Sequence, residues 1–232
     1  MKTLVTSLLI GLLSSTALAI NFELSQEDVQ RAISAGTEMV SPQNGYKIGD
    51  YVVHEYIQDV RLGPNDPEVD AVTLSTPFET LRKRAYYAAY QKKTLAETQI
   101  NDILDSTQNK ISFNLYVHSP KSVQEELEQF QKAYLDDQNQ EESQRQQSFL
   151  DLYSEASLKV DGTTLTASPE IKGPYQDQFS TIEGKPEFRF LGVITYTFDL
   201  SGTELEGQTG TLSFQDSEGK TYEETIDFDS YF

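Results

Sequence analysis

In "FRFLGVITYTFDL", residues 188 to 200, every even position is apolar or glycine: Phe188, Phe190, Gly192, Ile194, Tyr196, Phe198 and Leu200. Successive side chains of an extended chain point to opposite faces, so this run can satisfy its apolar residues only as a strand with one face buried. The same period recurs in "KISFNLYVH". There Ile111, Phe113, Leu115 and Val117 fall on one side, and Ser112, Asn114, Tyr116 and His118 on the other. His118 is therefore expected to be a half-exposed surface histidine.

Other strand signals surround these two. "SLKVDGTTLTAS" carries Asp161-Gly162 between short alternating runs, a two-residue hairpin signal. "GTLSFQDSEGKTYEETIDFD" reads as a second hairpin turning at 216–219, with Glu224 interrupting its apolar face and marking a bulge or an edge. "YVVHEYIQDVRL" and "EVDAVTL" are rich in β-branched and aromatic residues and are separated by "GPNDP". About seven strands result, and no internal repeat appears.

Helical grammar is inserted among the early strands. Ser25 and Asp28 make a capping-box start, followed by Val29, Ala32, Ile33 and Gly36 on one face and by the turn "SPQNG" at 41–45. Thr76, Pro77 and Glu79 open a second helix, with Phe78, Leu81, Ala85, Ala88 and Ala89 toward the core. A shorter helix opens at Thr94 to Glu97 and carries Ile100, Ile103 and Leu104. Ser122 and Glu125 open a fourth, whose stripe is Val123, Leu127, Phe130 and Tyr134. The polar segment 136–148 has no apolar residue and cannot bury anything. It is expected to be an exposed extension or a mobile loop.

The expected fold is mainly β with inserted helices (α+β): an antiparallel immunoglobulin-like β-sandwich of about seven strands, forming one domain over 20–232. Two domains meeting near residue 150 is the alternative. Residues 1–19, with Lys2, an apolar run from Leu4 to Leu13 and small residues at Ala17 and Ala19, read as a secretory signal peptide. That run is shorter than the roughly 20 residues a span requires, so no membrane span is expected in the mature chain.

The chain has 37 acidic against 18 basic residues, a formal net charge of −19. A field of that sign repels phosphate backbones, so nucleic acid is not an expected partner. There is no cysteine, which excludes disulfides and thiol chemistry and fits a bacterial periplasmic or secreted protein. The motifs G-x-S-x-G and H-E-x-x-H and a phosphate-cradling glycine loop are missing, and only two histidines are present. No cofactor, metal site or catalytic set is expected. Asp66, Glu68 and Asp70 alternate near a turn but do not match a calcium loop, and they read as an acidic turn.

One stretch runs against the overall charge. "TPFETLRKRAYYAAYQKK", residues 76–93, holds Arg82, Lys83, Arg84, Lys92 and Lys93 interleaved with Tyr86, Tyr87 and Tyr90. On a helix, Arg82, Tyr86, Tyr90 and Lys93 form one ridge and Lys83 and Tyr87 another, both expected away from the core. The leading reading is an exported, non-catalytic binding protein that uses this strip for a protein partner or acidic ligand, with self-association a further possibility. An adhesin-like or assembly component, and a hydrolase with a carboxylate site, are the alternatives.

Overall fold

The computed structural model describes residues 20–57, 61–63, 66–136 and 148–232. The expected leader, 1–19, and nearly all of the polar segment 136–148 lie outside them, as do the side chains of Phe130 and Tyr134. The chain is mixed α+β and mostly β. Its helices are α1 (Gln26–Glu38), α2 (Pro77–Tyr90), α3 (Glu97–Thr107) and α4 (Val123–Asp136). The strands are β1 (Val52–Glu55), β2 (Arg61–Leu62), β3 (Val69–Ser75), β4 (Lys110–Ser122), β5 (Ala156–Val160), β6 (Thr163–Ala167), β7 (Pro169–Thr181), β8 (Pro186–Asp199), β9 (Thr209–Gln215) and β10 (Thr221–Asp227).

The strands form a six-stranded sheet, β1-β3-β4-β8-β7-β2, and a four-stranded sheet, β10-β9-β5-β6. Among the described residues every pairing is antiparallel except β2 with β7, which is parallel. The alternating runs behave as their period dictates. Ile111, Phe113, Leu115, Ile194, Tyr196 and Phe198 line the inner face of the larger sheet, and Leu158, Leu212, Phe214 and Ile226 that of the smaller one. All belong to one core, as two layers of a β-sandwich require. The gap in the alternation at Gly192 is filled from elsewhere. The side chain of Leu150, on the 3-10 turn Phe149–Leu152, lies so close that a β-carbon on Gly192 would sit 2.3 Å from its Cδ2.

Both expected hairpins form. Asp161 and Gly162 take φ of 47° and 72°, the doubly left-handed turn that matches strand twist. Glu224 lies on the outermost strand of its sheet in a regular register, so it marks an edge rather than a bulge. Strand β7 has no counterpart among the expected ones. It is exposed over most of its length and carries no apolar period, so main-chain pairing to β8 holds it. In α4 the buried face carries Glu126, whose Oε1 accepts from Phe149 N–H at 3.2 Å, while the expected core residue Leu127 is 39% exposed.

The helices add a second, smaller core. Val29 and Ala32 of α1 meet Phe78 and Leu81 of α2 and Tyr51, with Phe232 closing one side. Gly36 makes this crossing possible, because a β-carbon there would lie 2.1 Å from the carbonyl oxygen of Arg82. Ser25 forms the full capping box with Asp28, and Ser122 does so with Glu125. No helix among the described residues is long and apolar enough to cross a membrane.

Candidate functional site

Helix α2 begins as its sequence dictates. The Thr76 hydroxyl accepts from Glu79 N–H at 3.2 Å, and Pro77 occupies the first turn. Glu79 does not complete a capping box with Thr76, because its carboxylate is used elsewhere. Glu79 is 2% exposed, takes the Arg82 guanidinium at 2.6 Å and accepts from the Tyr46 hydroxyl at 2.6 Å. Burial raises the pKa of Glu79, while Arg82 and Tyr46 pull it back. Burial likewise raises the Tyr46 phenol, and the adjacent Glu79 adds to the shift.

This arrangement revises the expected outer ridge. Arg82 donates to the carbonyl of Ile48 at 2.8 Å, and its guanidinium lies over the rings of Tyr46 and Tyr51 at 5.5 and 5.0 Å. Tyr86 is 3% exposed, its ring 5.2 Å from that of Tyr46. The close crossing at Gly36 turns this side of α2 toward α1 and the 41–51 segment, so Arg82 and Tyr86 hold the helices together and do not face solvent. Periodicity alone gave no sign of it, because the element that covers them is irregular.

Five of the remaining strip residues are exposed, and Lys83 is half-buried. Tyr87 is 46% exposed and Tyr90 61%. The rings form a continuous shelf, with Tyr46 to Tyr87 at 6.2 Å and Tyr86 to Tyr90 at 6.2 Å. Burial, with Lys172 of β7 and Arg84 close by, holds the Lys83 ammonium below the usual lysine range against the pull of Glu79. Tyr116 of β4 lies near Tyr87 at the floor of this region, its phenol pushed up by burial. Among the described residues no carboxylate comes within ion-pair distance of Lys83, Arg84, Lys92 or Lys93. Lys92 and Lys93 also sit just past the C-terminus of α2, where a cation is favoured by the helix dipole.

A second cluster lies where the two sheets meet, and the sequence reading missed it. Glu68, 4% exposed, accepts from the Tyr153 hydroxyl at 2.8 Å and the Ser217 hydroxyl at 2.6 Å. Asp216, 5% exposed, accepts from the Tyr222 hydroxyl at 3.0 Å and from the backbone N–H groups of Glu218 and Lys220 at 3.1 and 2.9 Å. Burial, with Asp216 adding to it, pushes the Glu68 pKa up to about 7. The acidic triplet thus diverges: Asp66 accepts from Gly63 N–H, Glu68 turns inward and Asp70 takes His118.

His118 corrects its expectation as a surface residue. It is 1% exposed, with Nδ1 2.6 Å from Asp70 Oδ1 and its ring 5.6 Å from Phe179. The unforeseen strand β7 brings Phe179 over it. On the far edge, Glu224 of β10 accepts from the Tyr56 hydroxyl and lies 3.3 Å from His54 Nδ1, clasping β1 to β10.

The chain matches no protein-family model, no curated protein and no solved structure at a significant level. The geometry of its own residues is therefore the basis for any functional reading.

Proposed function

We propose that this chain is an exported, non-catalytic binding protein that holds an acidic polypeptide segment on the outward side of α2. The observation that carries the reading is the environment of Lys83. Burial, more than the nearby Lys172 and Arg84, disfavours this ammonium, and Glu79 only partly offsets it. Among the described residues no carboxylate lies within ion-pair distance, so a bound carboxylate would supply the missing partner. Tyr87 and Tyr90 flank it and offer rigid contact area of the kind enriched in binding hot spots. The helical part of the strip, from Lys83 to Tyr90, rises roughly 10 Å along the axis, about the length of three extended residues, and Lys92 and Lys93 extend it past the helix end. The strongly negative remainder of the surface confines an acidic ligand to this strip.

Titration with a hexaglutamate peptide tests this. Lys83→Glu with Arg84→Glu is expected to weaken binding at least about tenfold, and added salt to weaken binding to the wild type. Equal affinity of both proteins overturns the reading. Arg82 is left intact, since reversing it sets a second carboxylate against Glu79. Export rests on residues 1–19 and is tested by N-terminal sequencing of the secreted protein. A start near Ile20 is expected, and retention of Met1 contradicts it.

The immunoglobulin-like assignment belongs to the same proposal. Setting aside the short strands β1 and β2, the order β3-β4-β8-β7 against β10-β9-β5-β6 corresponds to A-B-E-D against G-F-C-C′. A second reading, strand addition by an assembly partner, is favoured by β10 standing outermost in its sheet with an uninterrupted register. The hydrolase reading gains least, because Glu68 and Asp216 are closed off from solvent.

A further inference from the structure

We propose that Glu68 and Asp216 form a proton-operated latch that fastens the β9–β10 turn of the smaller sheet to the start of β3 in the larger one. Glu68 immediately precedes β3, and its carboxylate reaches both Tyr153, just past the 3-10 turn, and Ser217, in the β9–β10 turn. Asp216 builds that turn, through its two backbone bonds and the Tyr222 hydroxyl. Three segments, two of them on opposite sheets, thus converge on two buried carboxyl groups.

The donors are all neutral: three hydroxyls and the backbone amides of the turn. Among the described residues no lysine, arginine or histidine lies within ion-pair distance of either carboxylate. The charged and titratable groups around the pair are otherwise engaged. From the turn, Lys220 lies over the Tyr222 ring at 4.8 Å, and Glu218 only adds negative charge. From β3 and β4, Asp70 and His118 take each other, while His118 N–H bonds the Glu68 carbonyl at 3.0 Å. From β10 and β1, Glu224 is held by Tyr56 and His54. From the 3-10 turn and the residue after it come Asp151, occupied in capping Ser148, and the phenol of Tyr153, while Glu126 of α4 takes the far end of the turn at the Phe149 N–H.

Two negative charges in this setting lack any compensating cation, so one proton is retained. On Glu68 it fits the existing geometry. The protonated carboxyl donates to Ser217 Oγ at the same 2.6 Å separation, while Tyr153 continues to donate to the other oxygen. Loss of that proton leaves two uncompensated carboxylates at the seam and drives the turn away from β3. The raised Glu68 pKa agrees in sign. Its stabilisation is fully present below the ordinary glutamate value and is lost as pH rises through about 7. The protein is thus closed in mildly acidic surroundings and loosened at this seam above neutrality.

Amide hydrogen exchange at residues 216–222 of the full chain, corrected for intrinsic base catalysis, reads the latch. Wild-type protection is expected to fall at least about tenfold between about pH 5.5 and about pH 8.5, while Glu68→Gln, which cannot ionise, stays flat. Unchanged wild-type protection, or an equal fall in Glu68→Gln, overturns the proposal. If Glu68→Gln fails to fold, infrared titration of the wild type decides. A protonated-carboxyl stretch present near about pH 6 and gone by about pH 8.5 in both the wild type and Glu79→Gln supports the latch, and its absence at the lower pH, or its loss in Glu79→Gln, overturns it.

Discussion

Glu79 and Glu68 are both glutamates withdrawn almost wholly from solvent, at 2% and 4% exposure, and both accept from tyrosine hydroxyls. They differ in one neighbour. Glu79 has Arg82 at 2.6 Å, whereas Glu68 has only neutral hydroxyl donors and feels the negative charge of Asp216. Burial is the largest cause of the upward shift at both places, and the nearby charges then act in opposite senses: Arg82 pulls Glu79 back, whereas Asp216 adds to the shift at Glu68. In the helical layer the pair is a fixed clasp between α2 and the segment around Tyr46 and Ile48. At the seam of the sheets it is a group poised to change charge near neutrality. Strength and responsiveness are thus separated into different parts of one chain.

The sharpest way to break this comparison is to make Glu79 resemble Glu68. Arg82→Met leaves a buried carboxylate without its cation and is expected to cost about 3–5 kcal/mol in urea unfolding at neutral pH. Glu79→Gln in the same chain should recover most of that. A loss below about 1 kcal/mol for Arg82→Met alone shows that the clasp is not a structural ion pair.

The next effect is the pH dependence of stability. The unfolded chain releases the Glu68 proton near the ordinary glutamate value of 4.5, while the folded chain keeps it to about 7. Stability therefore falls as pH rises across that window, by about 3 kcal/mol at most, and is level above it. Since Glu79 is shifted in the same direction, the difference between wild type and Glu68→Gln isolates the seam. A variant curve parallel to the wild type contradicts the assignment.

The smallest expected effect lies on the outward side of α2. Lys83→Gln with Arg84→Gln is expected to change stability by under about 1 kcal/mol, because neither residue has an ion-pair partner among the described residues. A loss comparable to that of Arg82→Met makes the strip structural throughout.

Much of the sandwich was legible because strand period and turn chemistry are local. The alternation in β4 and β8, the Asp161-Gly162 hairpin and the caps at Ser25, Thr76 and Ser122 depend on residues within a few positions of one another. What escaped depends on distant segments. β7 carries no apolar period, and His118 is covered by Phe179 of that strand. The outward placement expected for Tyr86 and Arg82 fails because Gly36 and Tyr46, some forty residues away in the chain, decide which side of α2 is covered. Glu68 looked like one member of an acidic turn, and only its juxtaposition with Asp216 and Ser217, far along the chain, gives it a role. The basic strip was visible in sequence as a charge anomaly, but its division into an inward and an outward half was not.

The central claim, that the outward half is a binding surface, is tested most directly by following the ring signals of Tyr87 and Tyr90 by NMR during a hexaglutamate titration. The account predicts saturable shifts of both rings, lost in Lys83→Glu with Arg84→Glu while the spectrum of the folded core is retained. Rings that do not move, or that move identically in the variant, contradict it.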